Sequence, residues 1–164
     1  MDLKIYNAIT KPTEIEKKEI TNFLFENLGK YGDPREQINN AINYAVKESI
    51  SFGGNVLVLK DGIKIVGAVV INETGMGGYI PENILVYIAT HADYRGQGLG
   101  KRLMEETVKI TKGDIALHVE KDNPAKFLYE KIGFTTPYLE MRLKKNNAQN
   151  KFSTESEKKL ETAE

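Results

Sequence analysis

Apolar side chains recur along this chain at two different spacings, and the spacing marks out the elements. Leu3 to Ala8 reads as an opening strand. From Thr13 onward, Ile15, Ile20, Phe23, Leu24 and Leu28 fall near one helical stripe, and Thr13 with Glu16 three residues later has the form of a capping box. Gly29 is placed to stop this helix. Lys30 to Asp33 makes a turn and Pro34 suits a first helical position. Ile38, Ala41, Ile42, Ala45 and Ser49, spaced by threes and fours, predict a second helix ended by Gly53 and Gly54. Two β-rich runs follow, Asn55–Leu59 and Lys64–Ile71, and the Asp61-Gly62 pair between them favours a tight hairpin turn.

The second half is punctuated by glycine. Glu73 to Asn83 holds Gly75, Gly77, Gly78 and Pro81 and reads as a loop, either a mobile one that carries substrate contacts or a plain connector. Ile84–Thr90 is nearly all apolar and predicts a buried strand. A glycine-rich turn then leads into a helix from about Gly98 to Thr111 with Leu99, Leu103, Met104 and Val108 facing inward. Ile115–Val119 predicts a short strand, Asn123–Ile132 a short helix stopped by Gly133, and the alternation of Tyr138–Leu143 a last strand. The order is β-α-α-β-β-β-α-β-α-β, with 1–144 as the domain. Beyond Lys144, Phe152 and Leu160 are the sizeable apolar residues, too few to offset the ordering entropy of an independent unit, so 145–164 is assigned as a polar tail.

Composition removes several classes of function. A chain of 164 residues makes one domain of ordinary size with a core that needs no staples. It contains no cysteine, which excludes disulfide frameworks, thiolate metal sites and cysteine nucleophiles. Twenty-three Lys and Arg balance 23 Asp and Glu, the wrong balance for sequence-independent binding of nucleic acid. The longest apolar run, Ile65–Ile71, falls far short of the roughly 20 residues that span a bilayer, and Asp2 and Lys4 do not resemble a secretory signal. The expectation is a soluble cytoplasmic protein that engages neither nucleic acid nor membrane. An exposed edge over Tyr138–Leu143 could pair with a second copy, which makes a homodimer possible in principle.

The segment Arg95-Gly96-Gln97-Gly98-Leu99-Gly100-Lys101-Arg102 sits between a predicted strand and a predicted helix, where glycines let backbone amides approach phosphate oxygens at the positive end of the helix. A Walker loop would need glycine at Arg95 and Ser or Thr at Arg102, and a dinucleotide fingerprint starting at Gly96 would need glycine at Lys101, so neither template fits. Arg-x-x-Gly-x-Gly does fit, as Arg95 to Gly100. With the longer stretches IATHADYRGQGLGKRLMEE and DNPAKFLYEKIGF, in that order, the chain resembles the GNAT acetyltransferase superfamily from Leu3 to Leu143. The resemblance implies an α/β fold of mixed α+β type: a central, mixed, mostly antiparallel, V-splayed sheet of six to seven strands flanked by about four helices. It also implies acetyl-CoA as co-substrate, no metal, and an amine of a small molecule or protein as acceptor. Amides from Arg95, Gly96, Gln97, Gly98, Leu99 and Gly100 would hold the pyrophosphate, and the backbone of Ile88, Ala89 and Thr90 would pair with the pantetheine arm. Lys101 and Arg102 could favour the phosphates or be solvated helix charges.

Acetyl transfer to an amine by direct attack leaves one proton and one negative charge to manage. A lysine-like ammonium costs about 4–5 kcal/mol to deprotonate at pH 7. By resemblance Tyr129 donates a proton to the leaving sulfur, although an aromatic on an apolar face could equally be core. Asn123 would contact the pantetheine arm, and an Asn before Pro124 also caps the helix. Six residues separate Asn123 from Tyr129 where many relatives have seven, and Ala92 stands where they commonly have proline. Relatives with a catalytic glutamate keep it near the position of Ile84, which takes no proton. His118, at the strand position where other relatives carry glutamate, is a candidate base, with Glu82 and Glu120 behind it and no single protein base as the alternative; His91 reads as a neighbour of the cofactor. The acceptor cleft would draw on the turn Gly29–Arg35 and the loop Glu73–Asn83, with Tyr31, Met76 and Tyr79 as lining and Asp33, Glu73 and Glu82 available to an ammonium group. The rival reading is a non-catalytic acyl-CoA sensor.

Overall fold

The computed structural model describes residues 1–145. The chain divides into two units, Met1–Phe134 and Thr135–Glu164, and every helix and strand named below belongs to the first. Its strands are β1 (Asp2–Tyr6), β2 (Gly54–Asp61), β3 (Lys64–Glu73), β4 (Asn83–Thr90) and β5 (Ile115–Leu117); its helices are α1 (Glu14–Leu28), α2 (Arg35–Ala45), α3 (Leu99–Ile110) and α4 (Ala125–Ile132). The sheet has five strands in the order β1-β2-β3-β4-β5, fewer than the six to seven expected. Every pair is antiparallel except β4–β5, which is parallel because α3 carries the chain back to the starting end of β4.

Helices cover both faces. Val56, Val58, Ala68 and Val70 turn to one side and pack with Ile20, Phe23 and Leu24 of α1 and Ile38, Ile42 and Ala45 of α2. Leu57, Leu59, Val66, Val69 and Ile71 turn to the other and pack with Leu99, Leu103 and Met104 of α3 and Tyr129 of α4. This alternation follows from the period of two along β2 and β3, broken once at Val66, which is left unpaired where the register shifts from Leu59 opposite Gly67 to Lys60 opposite Ile65. The hairpin forms as predicted, with Asp61 opposite Lys64. Thr13 and Glu16 make the capping box, and the Glu16 carboxylate also accepts from Lys4 Nζ (2.8 Å) and Tyr6 Oη (2.9 Å), pinning β1 to α1.

Four expectations are corrected. Ile15 is 73% exposed, because the face of α1 that packs on the sheet runs through Ile20, Phe23 and Leu24, with Lys17 buried beside them in ion pairs to Glu14 and Glu48. Helix α2 stops at Ala45 rather than Gly53: Lys47 takes a left-handed conformation, and Lys47, Glu48 and Ser49 give the helix nothing apolar to bury. Val108 is 46% exposed while Thr107 is buried, since the contact face of α3 follows Leu103, Met104 and Thr107. Tyr138–Leu143 is not a strand. Tyr138, Leu139, Met141 and Leu143 are exposed, and a two-residue alternation makes a strand only when a neighbouring edge supplies hydrogen bonds. An edge-to-edge dimer through that segment therefore has no strand to use. Apart from Lys145, the segment assigned as a tail, 145–164, lies outside the described residues.

Candidate active site

Strand β4 holds the centre of the site. It pairs with β5 only from Asn83 to Leu85, so the rest of its edge has no strand beside it among the described residues. Hence the expected fully buried strand is instead buried at Asn83, Leu85, Tyr87 and Ala89 and half-buried at Ile84, Val86, Ile88 and Thr90. On the β3 side the register slips by one, with Val70 opposite Tyr87 but Ile71 opposite Leu85, which leaves Val86 as a bulge. The slip is visible in the packing. Val86 and Tyr87, adjacent in sequence, both join the cluster under α1 and α2, while Leu85 and Ile88 turn to the α3 side.

Hydrogen bonding fixes which backbone groups face the open edge. His91 N–H donates to Val66 O at 2.9 Å, in register with Thr90 opposite Gly67. In an antiparallel ladder the bonded pairs alternate, so Tyr87 and Ala89 bond to β3, whereas Ile88 and Thr90 turn their N–H and C=O groups outward. An extended chain laid along this edge meets the donors and acceptors of Ile88 and Thr90, and the methyl of Ala89 lies in the core.

The edge runs into the glycine turn. Gly96 and Gly98 both have left-handed backbone, at φ +76° and +80°, and a Cβ on either would meet nothing within 4 Å, so their backbone stands open. Gly98 caps α3 with no side-chain hydrogen bond, and Arg102 is the first residue bonded inside the helix, to Gly98 O. The N–H groups of Leu99, Gly100 and Lys101 thus form the uncapped positive end of an amphipathic helix. Gly100 has a second role. A Cβ there would lie 3.1 Å from Leu128 of α4, so its absence lets α3 and α4 approach. Leu99 is core, and Lys101 is exposed and pairs with Glu105 at 3.6 Å. Around the turn, Arg95 donates to Asn27 O (3.1 Å), Gln97 to Asp93 O (3.2 Å) and Tyr94 Oη to Asp61 (2.9 Å). His91 accepts from Asp93 N–H at Nδ1 (3.2 Å), which makes it a brace of this turn.

Tyr129 is 7% exposed and packs among Leu99, Leu103, Ile88 and Leu117, with its ring centre 5.9 Å from that of Phe134. Burial alone pushes its hydroxyl up to about 12, so it is a proton donor across the neutral range. Asn123 Oδ1 accepts from Ala125 N–H at 2.9 Å and starts α4, leaving its amide nitrogen uncommitted among the described residues. His118 lies one residue beyond β5, which ends at Leu117 rather than Val119. It is exposed, while Leu117 and Val119 on either side turn into the cluster that holds Tyr129. Glu120 is exposed as well.

Glu82 is a brace. Its carboxylate accepts from Asp114 N–H at 2.7 Å and lies against Gly77 and Gly113, and backbone donors, Asp114 first and then Glu82 itself and Gly78, hold it below the usual carboxylate range, the opposite of what a general base needs. Met76 and Tyr79 are exposed on the 74–82 loop, whose base is tied by Thr74 N–H to Glu82 O and Thr74 Oγ1 to Pro81 O. No pattern in the sequence points to three contacts made by the α1–α2 connection. Tyr31 Oη donates to Asp122 O (3.0 Å), Lys30 Nζ to the Asp122 carboxylate (2.9 Å), and Tyr87 Oη to Asp33 Oδ2 (2.6 Å). Each joins residues more than fifty positions apart, which no local pattern reports.

A bulged strand with one free edge thus runs into a glycine turn and an uncapped helix. The Acetyltransferase (GNAT) domain family matches residues 52–136, more than half of the chain, and the chain belongs to this family of N-acetyltransferases. The fold is similar to that of ribosomal-protein-alanine N-acetyltransferase from Brucella melitensis biovar Abortus 2308, at 16% identity and TM-score 0.59 over 87% of this chain and 98% of that one. It is also similar to a chain of the NatC complex bound to Gag peptide and CoA, at 19% identity and TM-score 0.60 over 88% and 87%. A transcriptional regulator from Bacillus halodurans C-125 shares the fold at 22% identity and TM-score 0.61 over 87% and 99%.

Proposed function

We propose that this chain transfers the acetyl group of acetyl-CoA to a primary amine by direct attack within a ternary complex. The observation that carries the reading is the continuity of the free β4 edge, through Ile88 and Thr90, with the open backbone of Gly96 and Gly98 and the uncapped start of α3. A pantetheine arm carries amides that can pair with a strand edge, and the pyrophosphate beyond it suits a helix N-terminus. Those residues fit acetyl-CoA as co-substrate, and Asn123 lends its free amide nitrogen to the arm.

The neutral amine nitrogen forms a bond to the thioester carbon, and the carbon–sulfur bond breaks. Tyr129, its proton held by burial, gives that proton to the departing sulfur and regains one from solvent after turnover, and the products are the amide and CoA thiol. The proton lost by the amine leaves through His118 or the water that reaches it, since Glu82 is committed elsewhere and Ile84 carries none. The experiment is thiol release from acetyl-CoA with a panel of polyamines, amino sugars, amino acids and peptides. Release that depends on one acceptor class supports the reading. Tight acetyl-CoA binding with no release from any amine would instead make the chain a sensor.

A further inference from the structure

Just before the α1–α2 connection Asn27 O receives Arg95 of the glycine turn, and within it Lys30 and Tyr31 reach Asp122 at the start of α4. Two residues beyond Tyr31 stands Asp33. It receives a hydrogen bond from Tyr87, a residue 7% exposed on β4 next to the bulged Val86. The bond is short, 2.6 Å, and burial together with the Asp33 carboxylate drives the Tyr87 hydroxyl well above its usual range, so the proton stays on Tyr87.

This carboxylate differs from Asp122, Glu82 and Asp93. Asp122 is paired with Lys30, Glu82 is spent on Asp114 N–H, and Asp93 faces Lys64. Asp33 is exposed, and no cation among the described residues lies within ion-pair distance of it. Tyr87 occupies Oδ2, which fixes the group and leaves Oδ1 without a hydrogen-bond donor among the described residues. A buried hydroxyl that orients a carboxylate with no cation partner, beside the strand break, is an arrangement built to receive a cation from outside.

The cation it receives is not the reacting nitrogen. A carboxylate against an ammonium stabilises the charged form and raises its pKa, which opposes the deprotonation that attack requires. We infer that Asp33, positioned by Tyr87, anchors a second, non-reacting cationic group of the acceptor, so that the preferred acceptors are diamines or polyamines rather than monoamines. This rests on the acetyltransferase reading above and narrows its acceptor class.

The test compares 1,4-diaminobutane with pentylamine, matched in chain length and differing in one charge, by thiol release with the full chain and with Asp33→Asn and Tyr87→Phe. The unaltered chain is expected to favour the diamine in kcat/KM by about tenfold, chiefly through KM. Asp33→Asn brings the ratio of the two amines to about one, and Tyr87→Phe, which keeps the charge but frees the carboxylate, lowers it by a few-fold. Calorimetric binding of the diamine to the CoA complex gives the same comparison without turnover. Equal preference for the two amines in the unaltered chain overturns the inference, as does a loss in Asp33→Asn that lowers both in step. Absence of acetyl-CoA binding would instead defeat the underlying acetyltransferase reading, so the two failures are separable.

Discussion

Replacing Tyr129 by Phe separates chemistry from packing at the centre of the site. The ring is 7% exposed, and its hydroxyl is pushed up to about 12 by burial, with no charge or hydrogen bond contributing. Phe keeps the ring and removes a hydroxyl that has no protein partner among the described residues. The loss of stability should therefore stay within about 1 kcal/mol. Removing a positioned acid is another matter, costing about 10²–10⁴-fold in rate, or about 3–5 kcal/mol of transition-state stabilisation. The assay is kcat for thiol release at saturating acetyl-CoA, alongside the calorimetric Kd for acetyl-CoA and a urea midpoint. A loss of at least about a hundredfold in kcat, with Kd little changed, is expected. A kcat within about threefold of the unaltered chain would remove Tyr129 from the proton path. The same residue makes a pH prediction. Its folded pKa is raised above the ordinary value of 10.0, so its contribution is fully present below pH 10 and is lost as pH rises toward 12. That loss is up to about 3 kcal/mol, and Tyr129→Phe lacks it.

Gly98→Glu puts bulk and negative charge at the open start of α3 and should lower acetyl-CoA affinity more than about tenfold, while Gly98→Ala, with similar backbone strain at φ +80°, should lower it far less; calorimetric titration compares them. Gly54→Ala would place a Cβ 2.1 Å from Ile71 O, a backbone atom that cannot swing away, and should cost about 3 kcal/mol or more by urea unfolding. Glu16 is held down to about 2, first by Lys4 and then by Thr13 N–H. A depressed carboxylate contributes stability that is present above its ordinary value of 4.5 and is lost as pH falls toward 2. Glu16→Gln should flatten that part of an acid unfolding curve.

What was legible in the sequence was local. The hairpin at Asp61-Gly62, the capping box of Thr13 and Glu16 and the glycine turn at 95–100 each depend on residues a few positions apart, and each appears where it was expected. The failures are tertiary. Ile84–Thr90 reads as fully buried because its side chains are apolar, yet β5 ends after three paired residues and leaves the edge half open, which is the feature that makes a site. Glu82 stood behind His118 as a candidate base, and only the fold shows it holding Asp114 N–H. Tyr87 and Asp33, 54 residues apart, could not be paired by any period or motif. His118 falls outside β5 because that strand has a partner only as far as Leu117.

The central claim is that the free edge of β4 and the open start of α3 form one binding surface for acetyl-CoA. Calorimetric titration of the full chain with acetyl-CoA tests it most directly. The account expects saturable binding of one acetyl-CoA per chain, with heat lost in Gly98→Glu. A folded chain that shows no binding, or binds equally well with Glu at position 98, would contradict it.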